Sequence, residues 1–110
     1  MIHEMKLDNK YFEKIKSGSK TIEIRLNDDK RQKVKINDEI IFTNRTTEEQ
    51  IRVKVINLHH FNSFEELYKN FNKVSLGYEE NEVAKASDME KYYSKEEQQK
   101  YGVLGIEIKL

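Results

Sequence analysis

Three features of this 110-residue sequence point to an α+β domain built around a small mixed sheet. Autonomous domains typically hold roughly 100–200 residues, so residues 1–110 read as one unit. Stretches with strand and helix patterning run in the order strand, helix, strands, helices, strand. That order lacks the regular alternation that builds a doubly wound sheet. Leu, Ile, Val and Phe supply 29 residues, a share above the roughly 20% below which a chain fails to form a core.

Ile2–Leu7 reads as a first strand. Leu7, Tyr11, Phe12 and Ile15 then fall on one face at helical spacing. Asp8 stands where an N-cap belongs, and Gly18 can close the helix in the left-handed conformation. In Thr21-Ile-Glu-Ile-Arg-Leu26, the apolar Ile22, Ile24 and Leu26 alternate strictly with Thr21, Glu23 and Arg25. That pattern predicts a half-buried strand with one apolar and one polar face. Val34-Lys-Ile36 leads through the turn pair Asn37-Asp38 into a strand, Glu39–Asn44, with Ile40 and Phe42 on one side. The polar stretch Asn44–Gln50 reads as a hairpin connection to a strand that carries Ile51, Val53 and Val55 and runs towards Leu58.

The rest is expected to be helical until a last strand, Val103–Leu110, in which Ile106, Ile108 and Leu110 share a phase. Three Ser-x-x-Glu capping boxes mark helix starts: Ser63…Glu66, Ser87…Glu90 and Ser94…Glu97. The first opens a helix bearing Phe64, Leu67, Tyr68 and Phe71. The others open turns that end at Gly102. Residues 73–86 have weak periodicity and read as a loop with one turn of helix.

Composition narrows the function. Lys and Arg total 20 against 20 Asp and Glu, and there is no Cys. Disulfides and thiolate metal sites are thereby excluded. The longest apolar run is Ile40-Ile41-Phe42, too short to span a membrane, and Met1–Lys6 lacks the pattern of a signal peptide. A cytoplasmic protein is expected, and neutral charge with a modest core suits monomer and dimer equally. The neutrality is uneven: residues 1–60 carry 13 basic and 10 acidic side chains, and Arg25, Arg31, Arg45 and Arg52 all lie there. A local basic face suits phosphate contact, although most such lysines are ordinary solvated surface.

The four glycines (18, 77, 102 and 105) form no phosphate loop, and no nucleophile elbow or metalloprotease motif occurs. No cofactor is expected. His59 and His60 are adjacent, so on a strand they point to opposite faces and do not readily chelate one ion; no metal site is expected either. The informative stretch is Gly18-Ser-Lys-Thr-Ile-Glu-Ile-Arg25. Lys20 sits where helix gives way to strand, three residues before Glu23 and five before Arg25. Such a junction brings an ammonium, a carboxylate and a guanidinium to one rim of a sheet. Arg can clamp phosphate or stack on a base, Glu can accept from an amino group, and Lys can bind phosphate or act as a base when desolvated. The same trio can equally be a surface ion pair with a free lysine. Tyr78, Tyr92, Tyr93 and Tyr101 offer stacking platforms near a cleft, Tyr101 foremost, or simple packing with wet hydroxyls.

Gly18-x-Lys20-x-x-Glu23-x-Arg25 resembles the signature of the ASCH domain, a family related to the PUA fold. The preceding Tyr11–Gly18 helix, the Lys35–Phe42 strand entry and the closing Tyr101–Ile108 stretch agree in order, so the resemblance covers essentially the whole chain. It implies a PUA-like mixed β-barrel flanked by short helices, with a cleft into which the motif side chains project, and association with RNA. Lys20, Glu23, Arg25 and Tyr101 are then the expected ligand or RNA contacts.

One branch of small bacterial members is similar in length and removes acyl groups from N4-acetylcytidine with a Lys, a Thr three residues later and a distal Glu. Lys20 matches that Lys, Glu23 occupies the Thr position, and Glu79 or Glu80 lies nearest to the distal acid. Three readings follow. The first is a binder of RNA or a modified nucleoside. The second is an amidohydrolase with Lys20 as base and Glu23 or Glu80 in support. The third is a protein-interaction module in which the trio is a structural ion pair.

Overall fold

Left-handed backbone at Gly18 (φ 89°) ends the first helix and turns the chain back on itself. The computed structural model describes residues 1–110. Helix α1 (Asn9–Ser17) buries Phe12 and Ile15, each contributing roughly 1.5–3 kcal/mol relative to exposure. Asp8 occupies the N-cap position as expected, but its side chain makes no capping bond. Its carbonyl accepts from the Tyr11 and Phe12 amides instead.

Five strands form one sheet in the order β1-β3-β4-β5-β2: β1 (Ile2–Leu7), β2 (Ile22–Leu26), β3 (Glu39–Asn44), β4 (Gln50–Phe61) and β5 (Val103–Lys109). β1 runs parallel to β3, and every other pairing is antiparallel. Together with its short helices the sheet makes an α+β fold, curled into a half-barrel. The fifth strand stops at Lys109 and leaves Leu110 exposed.

β4 runs past Leu58 to Phe61. Its first half pairs with β3 and its second with β5, the register shifting between Val55 and Asn57. The extra residue, Ile56, is exposed, as expected of a bulge that bends a strand from one neighbour to the next. Curling leaves β1 and β2 as the two free edges, and the candidate site lies beside them.

Two apolar clusters hold the fold. One joins α1 to β1, β3, β4 and β5 through Phe12, Met5, Ile40, Phe42, Val55 and Ile106. The other packs Ile22, Ile24 and Leu26 of β2 against Phe64, Leu67 and Leu76. Phe64 and Leu67 come from α2 (Phe64–Asn70), where Ser63 accepts from the Glu66 amide. Ser94 and Glu97 form a complete capping box at α3 (Lys95–Tyr101). The box expected at Ser87 is absent. Ser87 lies inside a 3-10 helix, Ala86–Lys91, that begins after Lys85 with no side-chain cap. Residues 73–82 form hydrogen-bonded turns rather than helix. No helix is long and apolar enough to cross a membrane.

Candidate functional site

The turn at Gly18 delivers Lys20 to the start of β2, where its amide bonds the Lys14 carbonyl at 3.1 Å. Its side chain points inward and is only 3% exposed. Nζ donates to the carbonyls of Ile22 and Leu76, both at 2.8 Å, and lies 3.4 Å from Glu23 Oε1. Three acceptors around one nitrogen are the coordination of an ammonium. Burial pulls the Lys20 pKa down, and the Glu23 carboxylate acts against that fall.

Glu23 is 4% exposed, so the polar face of β2 is covered rather than solvated as the alternation suggested. Its Oε2 accepts from Arg25 Nε at 2.7 Å. Burial would raise the Glu23 pKa, but Arg25 and Lys20 outweigh it and hold the carboxyl below the usual range. Arg25 in turn is raised: burial opposes its charge, and Glu23 and Tyr93 together more than restore it. The trio is a row of alternating charge: ammonium, carboxylate, guanidinium.

Gly77 closes the row from above. Its φ of +109° suits glycine, and a Cβ there would stand 3.2 Å from both Lys20 Cδ and the Tyr11 ring. The Lys14 ammonium bonds the Gly77 carbonyl at 2.6 Å and fixes this loop to α1. Lys20 Nζ lies 5.5 Å from the Tyr11 ring centroid, within the range of a cation–π contact.

Over the row opens a cavity of about 280 Å³, with Tyr11, Tyr68, Tyr92 and Tyr93 among its walls and Lys10 and Arg45 beside it. Tyr68 and Tyr78 hydroxyls are 3.0 Å apart, and Tyr78 donates to Asp88 at 2.7 Å. Burial raises the Tyr78 pKa, and Tyr68 and Asp88 raise it further. Burial likewise pushes Tyr11 up to about 12. These phenols stay neutral at physiological pH.

Lys20, Glu23 and Arg25 are thus brought together, and Tyr78, Tyr92 and Tyr93 line the same cavity. Tyr101 does not line it. It packs against the cluster of Phe64 and Val103, with Lys100 over its ring at 5.0 Å. Glu80 is exposed and also outside, its carbonyl taken by Lys73. Glu79 pairs with Lys14 at 3.3 Å. His59 bonds Glu107 at 2.9 Å while its neighbour His60 is exposed. Sequence reasoning misses Tyr11 and Tyr68, whose helical spacing reads simply as core. The available signal is a hydroxyl-bearing ring where aliphatic residues pack as well. Asp88 gives no signal.

Two solved structures share this fold over nearly their whole length. Hypothetical protein PH0355 is 34% identical, with a TM-score of 0.83 and coverage of 99% of this chain and 98% of its own. Protein PF0455 from Pyrococcus furiosus is 31% identical, with a TM-score of 0.74 and coverage of 99% and 96%. No curated protein sequence matches. Residues 5–110 match the ASCH domain, which includes the whole Lys20–Glu23–Arg25 row and all but the first residues of β1. This chain belongs to the ASCH domain family.

Proposed function

We propose that the cavity takes one unstacked base of a single-stranded RNA, or the corresponding nucleotide. One observation carries this reading: a buried carboxylate, held as an anion between two cations, forms the floor of a tyrosine-walled cavity. A carboxylate has about four lone-pair sites; Glu23 spends one on Arg25 and lies 3.4 Å from the Lys20 ammonium. What remains accepts hydrogen bonds only, which selects a base edge with an amino group, cytosine being the usual partner of Glu. The tyrosine rings supply stacking surface. At about 280 Å³ the cavity is just below the roughly 300–1,000 Å³ of small-molecule sites, a size for one nucleoside and not for a duplex. Association with RNA is also the general character of the family.

Lys20 is assigned to hold Glu23. A base needs a lone pair, whereas Nζ donates to two carbonyls and lies 3.4 Å from the Glu23 carboxylate, surroundings that fit an ammonium and support binding over amide hydrolysis. Titration of the protein with cytidine, uridine and a short single-stranded RNA, followed by NMR, tests the proposal. Saturable shifts at residues of the cavity, weaker in Glu23→Gln for cytidine than for uridine, are expected. Absence of binding at low salt would overturn it. So would release of cytidine from N4-acetylcytidine by the wild type but not by Lys20→Ala, which would make the site an amidohydrolase.

A further inference from the structure

A second groove, of about 390 Å³, shares Lys6, Arg25 and Arg45 with the tyrosine-walled cavity and continues to Lys30, Arg31 and Thr43. Five of its lining side chains are cationic, and Glu4 is the one acid. Their charge is unequally spent. Arg25 is tied to Glu23, and Arg31 to Asp28 at 3.0 Å. Arg45 has only a 3.6 Å contact with Asp8, both side chains being more than half exposed, an exchangeable pair. Lys6 and Lys30 have no carboxylate partner.

Two of these cations are held along the free edge of β1. Arg25 Nη2 donates to the Lys6 carbonyl at 3.0 Å and Lys30 Nζ to the Glu4 carbonyl at 2.9 Å. Carbonyls two residues apart on one strand edge are roughly 7 Å apart. The edge therefore holds two positive heads in a row, leading away from the cavity floor. An apolar ligand gains nothing there, whereas phosphate oxygens can replace water on lysine and arginine donors.

We infer that this groove is a phosphate subsite, so that the ligand is a nucleotide whose base enters the tyrosine cavity and whose phosphate lies between Lys6, Lys30 and Arg45. The inference rests on the nucleobase reading above. It adds that a phosphoryl group, from a mononucleotide or from the next link of an RNA strand, is part of what is recognised.

Calorimetry with cytidine, its 5′- and 3′-monophosphates and a cytidine trinucleotide tests it, using wild type, Lys30→Gln and, as a control for charge elsewhere, Lys109→Gln. Lys30 does not line the base cavity, so its loss is expected to leave cytidine affinity unchanged. At least one phosphorylated ligand is expected to bind about tenfold tighter than cytidine, the scale of one charge-assisted contact. Lys30→Gln is expected to reduce that advantage to about threefold, and Lys109→Gln to leave it intact. An advantage seen with a mononucleotide identifies a free nucleotide as sufficient; one seen only with the trinucleotide identifies a strand. Equal affinity for all four ligands overturns the phosphate subsite while sparing the base site, as does an advantage that Lys30→Gln does not reduce. Failure of all four to bind overturns both.

Discussion

Arg25 Nη2 donates to the backbone carbonyl of Lys6 at 3.0 Å, joining β2 to β1, the two strands at opposite edges of the sheet. Backbone pairing does not close the half-barrel there. A side chain does, and its Nε also holds Glu23. One guanidinium therefore links the two edge strands and holds one side of the site's floor.

Arg25→Ala is expected to cost about 3 kcal/mol in urea unfolding, because it strands a buried carboxylate. Arg25→Lys keeps a charge but not the fork that reaches Glu23 and Lys6 together. It is expected to recover about half of that loss. Full recovery would show that charge alone matters and that the bridge to β1 contributes nothing.

Lys20 and Glu23 are expected to be coupled. Lys20→Met leaves the Ile22 and Leu76 carbonyls without their donor, and Glu23→Gln leaves the ammonium without its anion. A double-mutant cycle read by chemical unfolding is expected to show about 1–3 kcal/mol of interaction. Strict additivity would mean that the 3.4 Å separation carries no energy.

Acid should weaken the fold through Glu23. A carboxyl with a depressed pKa stabilises the native state fully above its unfolded value and loses that contribution as pH falls through the folded value. For Glu23 the window lies below pH 4.5, the ordinary value. Asp38 adds a second window, its pKa held to about 2 from 3.8 by the His3 hydrogen bond first and the Lys35 amide next. Thermal midpoints between pH 6 and 2 are expected to fall less steeply in Glu23→Gln than in wild type. Parallel slopes would show that Glu23 titrates alike in both states.

All five strands and α1 were legible because their signals are local: period-two alternation, helical spacing and a glycine at the turn. The charged trio was legible for the same reason, lying within one short stretch at a strand start. Its burial was not. Alternation places Glu23 and Arg25 on one face of β2 but does not say what covers that face. The cover comes from Tyr11 on α1, the loop at Leu76 and Gly77, and Asp88 to Tyr93, most of it far away along the chain. Ser87…Glu90 has the spacing of a capping box, yet the chain there forms 3-10 turns, whose geometry does not place that serine at an N-cap. Glu80 stands near the expected distal acid only by its place in a turn-rich loop, where neighbouring acids point in different directions. Of that group Glu79 and Glu82 face α1, through Lys14 and Lys10.

Gly77 supplies a further prediction about the link between loop and site. At φ +109° an L-residue is strained, and a methyl group would press on Lys20 Cδ and the Tyr11 ring at 3.2 Å. Gly77→Ala is expected to destabilise by about 1–3 kcal/mol, the scale of one residue forced into a disfavoured region. The contact adds a second effect, because relief by moving the loop would also withdraw the Leu76 carbonyl from Lys20 Nζ. NMR of the variant is expected to show shifts at Lys20, Glu23 and Tyr11, with faster amide exchange at Leu76 and Tyr78. Gly18→Ala provides the control: φ there is +89°, yet no atom lies within 4 Å of the added Cβ. That variant should lose stability from backbone strain alone and leave the Glu23 and Arg25 resonances in place. Matching shifts at Glu23 and Arg25 in both variants would show that strain, and not the contact with Lys20, is what reaches the site.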